Sequence, residues 1–204
     1  MSLCFWSQSG RENNSMTLQL ALKEWNVVCA AIGQGQQIVL ARKGGISEPE
    51  GEFELPKHRF WLYPTFFHEA SAKLNPRGME LLKAHPEFTQ PAPASSVLLN
   101  LVCEVAAAVY LQDERQLAAL AAEQILNDEA LSMRFSYRQP GLHALVIRAY
   151  AASSPATLTP TAAMAGCKSW VELEVPLETG SLSPILADDE FETRKNLLLS
   201  SLTL

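Results

Sequence analysis

Cysteine is scarce in this chain: Cys4, Cys29, Cys103 and Cys167 are far apart, form no CxxC pair and do not cluster with His58, His68, His85 or His143. That spacing excludes a disulfide framework and a structural zinc site, and it predicts reduced thiols acting as small apolar side chains in a cytoplasmic protein. Positive charge is also short, with 16 Lys and Arg against 22 Asp and Glu for a net charge of −6. An overall field of that sign does not hold a protein on nucleic acid, where affinity comes from cations neutralising phosphates. No apolar run reaches the ~20 residues of a membrane span. Residues 1–15 lack the apolar core of a signal peptide and read as a loose N-terminal tail, with Met16 a second candidate start. There is no G-x-S-x-G elbow, no P-loop, no dinucleotide fingerprint, and no Asp or Glu two residues ahead of a Lys. The chain therefore offers no catalytic set, and the expectation is no cofactor and no metal.

What is present is ordinary globular composition. With 48% apolar and 19% charged residues over 204 positions, the chain carries enough apolar surface for one sizeable core, which predicts a single α+β domain over 16–204. The proline-bearing stretch 89–96 reads as a linker within that domain.

Leu18, Leu22, Trp25, Cys29 and Ile32 recur in steps of four and three. This stripe predicts an amphipathic helix capped by Thr17 and ended by Gly33 and Gly35. Residues 38–43 follow as a strand with Ile38, Leu40 and Arg42 on one face and Val39, Ala41 and Lys43 on the other. Glu48, Glu50, Glu52 and Glu54 alternate around Pro49 and Gly51 in a solvated loop. Residues 60–63 read as a short buried strand stopped by Pro64. Asn75-Pro76 opens a helix through Lys83. Val97–Leu111 is a long bent strand of the kind that runs around a barrel, and Asp113 caps a helix after it.

Asn127 and Asp128 offer a short helix start, after which 133–138 alternates as a strand. With a turn at Gln139-Pro140-Gly141, it pairs with 142–150 as a hairpin. Ser153-Ser154-Pro155 breaks the pattern, 167–175 supplies a last strand, and Asp188 caps a C-terminal helix bearing Phe191, Leu198, Leu199 and Leu202. The fold class is α+β, with a mixed, mostly antiparallel, β-barrel-like sheet and flanking helices.

The most function-like feature is Arg42-Lys43-Gly44-Gly45 at the end of an apolar strand. A guanidinium fork clamps phosphate or carboxylate, and glycines let backbone N–H groups approach the same anion. The other reading of Arg42 is a buried cation paired with Glu24 or Glu104. Arg134, Arg148 and Tyr150 are candidates to complete a pocket; the other reading of Arg148 is a strand end reaching water. Tyr63, Thr65 and His68 surround a strand end where polar ligand groups often lie. Trp61 and Trp170 serve either as stacking surfaces for a base or as core.

Leu22-Lys23-Glu24-Trp25, the run from Gln37 through Arg42-Lys43-Gly44-Gly45 to Ile46, Phe60-Trp61-Leu62-Tyr63-Pro64-Thr65 with His68, and Gly166-Cys167-Lys168-Ser169-Trp170-Val171-Glu172-Leu173 together resemble an uncharacterised bacterial family, common in cyanobacteria. This is domain-of-unknown-function family 1802. The resemblance spans most of the chain and implies no known activity; Glu69 stands where that pattern has Gln after the histidine. Gly35, Gln37 and Arg42 also resemble the GxKxxxxR signature of ASCH-type domains, with Gln37 in place of the lysine. That second resemblance implies a PUA-like barrel that binds RNA or modified bases.

The leading reading is a protein that binds RNA, a nucleotide, a modified base or another anionic small molecule through Arg42, Lys43, Gly44, Gly45, Tyr63, Thr65, His68, Arg134 and Arg148. A second reading is a non-enzymatic module whose acidic surface and C-terminal helix meet a protein partner. A third is a hydrolase or nuclease using the Glu48 to Glu54 carboxylates and His68.

Overall fold

Burial on two sides, rather than helical period, decides how the chain begins. The computed structural model describes residues 3–5, 16–43, 58–66, 70–89, 96–164 and 169–202. Within the segment 1–15, Leu3–Phe5 forms a short strand, β1, and Thr17–Trp25 is strand β2. Helix α1 begins only at Asn26 and runs Asn26–Gly33. The expected helix from Thr17 is thus corrected over its first half. Ala21 and Leu22 point to opposite faces of β2 and both are fully buried, so apolar residues occur on each face and their spacing mimics a helical stripe.

Val39–Arg42 is β3 and Arg59–Thr65 is β4. Pro64 lies inside β4 instead of ending it. β4 pairs with its antiparallel neighbour only from Arg59 to Trp61, while its parallel pairing with β2 continues to Thr65. The missing N–H of Pro64 therefore sits on a side where no ladder bond is required. Helix α2 (Pro76–Ala84) is capped by the Asn75 side chain, which accepts from the Gly78 N–H at 3.1 Å. Strand β5 (Val97–Leu111) runs its full expected length, and Asp113 with Gln116 forms a capping box on a 3₁₀ segment, Glu114–Glu123.

Helix α3 (Asp128–Ser136) occupies the stretch read as the first arm of a hairpin. The Asn127 side chain accepts from Ala130 N–H at 2.9 Å, and Leu131 and Phe135 are buried one turn apart while Met133 and Tyr137 are exposed. Helical burial overrides the alternating pattern of 133–138. Strand β6 (Leu142–Leu158) then pairs with β3 and β5 and continues through Ser153-Ser154-Pro155. Leu99 faces Ala156 and Leu101 faces Ala151, two steps along β5 against five along β6. The expected strand breaker lies in that bulge, where an unpaired residue costs no ladder bond. Strands β7 (Trp170–Glu178) and β8 (Leu182–Pro184) lead to helix α4 (Asp188–Leu202).

The eight strands form one sheet in the order β3-β6-β5-β4-β2-β7, with β1 on β5 and β8 on β6. Every pairing is antiparallel except β2 with β4. The mostly antiparallel α+β architecture matches the expectation, but the sheet is not closed into a barrel: among the described residues its ends, β3 and β7, do not pair. The main core joins one face to the helices through residues such as Leu22, Ile32, Phe60, Leu62, Leu131 and Phe191, while Trp61, Tyr63, Leu99, Val102, Met164 and Leu173 fill a smaller core on the other. Among the described residues no helix is long and apolar enough to cross a membrane.

The turn from α1 to β3 hinges on Gly35, whose φ of 70° is left-handed and whose substituted Cβ would lie 2.6 Å from Leu186 Cδ2. Gly35→Ala is expected to destabilise the fold by about 1–2 kcal/mol. Urea unfolding measures it, and an unchanged midpoint would contradict the packing of the C-terminal segment over this turn.

Candidate functional site

The ends of β2, β3 and α3 meet at Glu24. This carboxylate is 2% exposed at the side chain, and a buried charge of that kind requires compensation. Arg42 supplies it: NH1 donates to Glu24 Oε2 at 3.2 Å and NH2 to the Lys23 carbonyl at 2.6 Å. The Trp25 N–H donates to Glu24 Oε1 at 2.9 Å, and Thr65 Oγ1 donates to the Glu24 carbonyl at 3.0 Å. From above, Arg134 NH1 donates to the Ala41 carbonyl at 3.0 Å while NH2 lies 3.9 Å from Glu24 Oε1. Its guanidinium stacks over the Trp25 ring at 4.9 Å.

Two guanidiniums thus face one carboxylate, leaving one positive charge in excess. Burial pushes the Arg42 pKa down, Glu24 pushes it back up, and Arg134 lowers it again. Among the described residues Arg42 Nε is buried with no hydrogen-bond partner. The adjoining cavity, lined by Glu24, Gln37, Leu40, Ala41, Gln124 and Arg134 among others, measures about 10 Å³, the space of roughly one water molecule. A nucleobase does not fit there.

The expectation that Arg42 stays open to an incoming anion is therefore corrected. Its side chain is 13% exposed and bound to an internal acid, as in the ion-pair reading with Glu24; Glu104 pairs instead with Arg59 at 2.6 Å. Lys43 diverges from Arg42, as the strand alternation requires, and its Nζ donates to the carbonyls of Phe135, Gln139 and Gly141. Arg148 is engaged by other partners. It pairs with Asp188 at the start of α4, between the rings of Tyr150 and Phe191 at 5.7 and 5.0 Å, so it completes no pocket with Arg134. Tyr63 is buried in the smaller core beneath Lys23, whose Nζ sits 5.9 Å from its ring centroid. Gly44, Gly45 and His68 lie outside the described residues, as do Glu48, Glu50, Glu52 and Glu54. The structure brings together Arg42, Arg134 and Thr65 around Glu24, and not Tyr63 or Arg148.

Two residues not singled out from sequence stand beside this cluster. Tyr137, 58% exposed, follows α3 directly, and Arg138 lies over its ring at 5.3 Å. Arg138 has a φ of 64°, uncommon for a residue with a side chain. The signal that could have found the pair is an aromatic next to a cation, Tyr137-Arg138, directly before the turn at Gln139-Pro140-Gly141. Reading 133–138 as a strand hid it. Near the same turn His143 packs against Tyr110, ring centroids 4.7 Å apart, and its pKa is lowered to about 4 by burial and by the Lys43 charge.

The sequence profile of one family, described as a domain of unknown function (DUF1802), matches residues 21–197. The chain belongs to that family. No curated protein matches the DUF1802 chain. Among solved structures it is similar to ASCH from Zymomonas mobilis, at 14% identity and a TM-score of 0.43, covering 89% of this chain and 93% of that one. A tyrosine-to-phenylalanine variant of that protein superposes with 14% identity and a TM-score of 0.44 over 76% of this chain and 89% of the other. A serine-to-alanine variant gives 17% identity and a TM-score of 0.41 over 63% of this chain, which here spans 66%, just under two thirds, of the other's length. Both resemblances named from the sequence recur in these findings.

Within this DUF1802 domain, breaking the Glu24–Arg42 pair takes from a buried carboxylate its hydrogen-bonded cation and leaves it only Arg134 at 3.9 Å. Arg42→Ala is expected to cost about 3–5 kcal/mol in urea unfolding, and replacing both residues with apolar ones to cost clearly less. A double variant whose cost equals the sum of the Arg42 and Glu24 single variants would show that the pair is not coupled. The His143 shift carries a second expectation. Its folded pKa lies below its ordinary value, so the folded state favours neutral imidazole and the unfolded chain binds the proton first. Stability is full above pH 6.5 and falls as pH drops toward 4. His143→Gln should flatten that slope, read as denaturation midpoints against pH; an unchanged slope would place the titration elsewhere.

Proposed function

We propose that this DUF1802 domain binds a nucleotide or a short single-stranded nucleic acid, including RNA, at the C-terminal end of α3. The observation that carries this reading is a pair of guanidinium–aromatic contacts four residues apart, Arg134 over Trp25 and Arg138 over Tyr137. Among the described residues Arg138 has no ion-pair partner, and Tyr137 is among the most exposed large apolar side chains. Guanidinium forks bind phosphate oxygens two at a time. An exposed aromatic ring gives a base a stacking surface that tolerates any sequence. The Arg42–Glu24 pair supports the site from beneath by fixing Trp25 and the end of β3, and Arg42 itself does not touch the ligand.

The net charge of −6 works against long polyanions, so the ligand is a nucleotide or a short strand held by few phosphates, with affinity that falls with added salt. Fluorescence anisotropy with a short labelled oligouridine at low salt tests this, with a mononucleotide as competitor. Tyr137→Ala and Arg138→Ala should each weaken binding by about 1–3 kcal/mol, roughly 5- to 150-fold. No saturable binding by the unsubstituted chain, or equal affinity in all three proteins, would refute the reading.

A further inference from the structure

The turn that carries Tyr137 and Arg138 aims three main-chain carbonyls at one point. Phe135 contributes from the last turn of α3, and Gln139 and Gly141 from the approach to β6; all three accept from Lys43 Nζ, with Phe135 O at 2.7 Å. Two left-handed residues shape this convergence, Arg138 at φ 64° and Gly141 at φ 117°. Gly141 has no room for a side chain, since a Cβ there would lie 2.7 Å from Tyr110 Cζ. Carbonyl oxygens turned toward one another repel unless a cation stands between them, and the negative end of the helix dipole adds to that demand. An ammonium has three N–H groups, and three acceptors use them all.

We infer that the carbonyls of Phe135, Gln139 and Gly141 form a cage for a monovalent cation, filled by the ammonium of Lys43, and that Lys43 is thereby the positioning residue for the turn bearing Tyr137 and Arg138. The second half of this inference rests on the ligand reading proposed for that turn; the cage itself does not. The cage is selective by its chemistry. Its acceptors are neutral carbonyls with no carboxylate among them, which suits potassium or ammonium and not a divalent ion. A planar guanidinium does not present three N–H groups from one atom, so Arg does not substitute for Lys here.

The test vacates the cage and offers it other cations. Thermal unfolding of Lys43→Ala is measured in potassium, ammonium and tetramethylammonium chloride at equal ionic strength. The midpoint of the variant should be higher by about 2–4 °C in potassium or ammonium than in tetramethylammonium, with no such difference for the unsubstituted chain. A variant midpoint indifferent to the cation overturns the cage. Should the variant fail to fold in every salt, the ammonium resonances of ¹⁵N-labelled lysine in the unsubstituted chain decide instead. One slowly exchanging signal assigned to Lys43 supports the cage, and an exchange rate equal to that of the solvated lysines overturns it. Oligouridine affinity of Lys43→Ala should fall roughly tenfold in tetramethylammonium and return in potassium. An affinity unaffected by the substitution overturns the positioning role. If the unsubstituted chain binds no oligouridine, the ligand reading and the positioning role both fall, and the cation dependence of the midpoint still judges the cage.

Discussion

A carboxylate enclosed by protein dictates what must surround it, and Glu24 sets that constraint here. Its side chain receives the Trp25 N–H and one arm of Arg42 and faces Arg134 at 3.9 Å. Arg42 joins β3 to β2 through Glu24 and the Lys23 carbonyl, and Arg134 joins α3 to both. β3 stands at one end of the open sheet and β2 next to the other. The ion pair therefore spans elements that the hydrogen-bond ladder leaves separate, and it performs part of the work that strand closure performs in a barrel. Such a pair is weak as a source of net stability but strict about geometry, because without Glu24 the Arg42 guanidinium is a buried charge with no acid, and without Arg42 the carboxylate keeps only Arg134 at 3.9 Å.

The same economy governs three further cations, one just after β3, one within β6 and one on α4. Lys43 is occupied by carbonyls, Arg148 by Asp188, and Arg194 by Glu123 at 2.6 Å and the Gly35 carbonyl at 2.6 Å. Each fastens a later part of the chain onto an earlier one: α3 onto β3, α4 onto β6, α4 onto the α1–β3 turn. A cation on a buried strand is recruited to assembly first, since desolvating it without a partner is costly. Arg138, by contrast, is exposed on a surface turn, which is why the proposed site is placed there.

Much of the fold was legible where local chemistry and burial agree. Asn75-Pro76, Asn127 and Asp113 announce their helices because a capping side chain acts within a few residues of itself, and Val97–Leu111 announces a strand because β-branched residues crowd a helix. The failures share a different cause. β2 was misread because a strand buried on both faces carries no clean period of two, and 133–138 because six residues satisfy either period until Leu131 and Phe135 meet the core. The open sheet was not legible at all: closure depends on how far β3 and β7 are carried by twist and bulges, and no single residue encodes that. Of the candidate site, the sequence named Arg42 and its partner Glu24 as one reading, yet the choice between that reading and a free clamp turns on a contact between residues 18 positions apart.

The proposed site at a turn is consistent with how the described residues fill the sheet. Among the described residues Trp61, Tyr63 and Leu173 pack one face of the sheet while Phe60, Leu62 and Val105 pack the other. The cavities lined by Gln37 with Arg148 and by Gln37 with Arg134 each measure about 10 Å³. An open sheet with both faces covered has no interior to lend to a ligand, unlike a barrel whose mouth is one. The proposed site accordingly uses an element that stands out from the sheet while being held by it. The end of α3 meets that requirement, because Arg134 is fixed to the Ala41 carbonyl beneath it and Lys43 holds the carbonyls that follow. In the proposed site, binding strength depends on the order of the turn more than on the area it offers, so Arg134 and Lys43 serve that reading without touching a ligand.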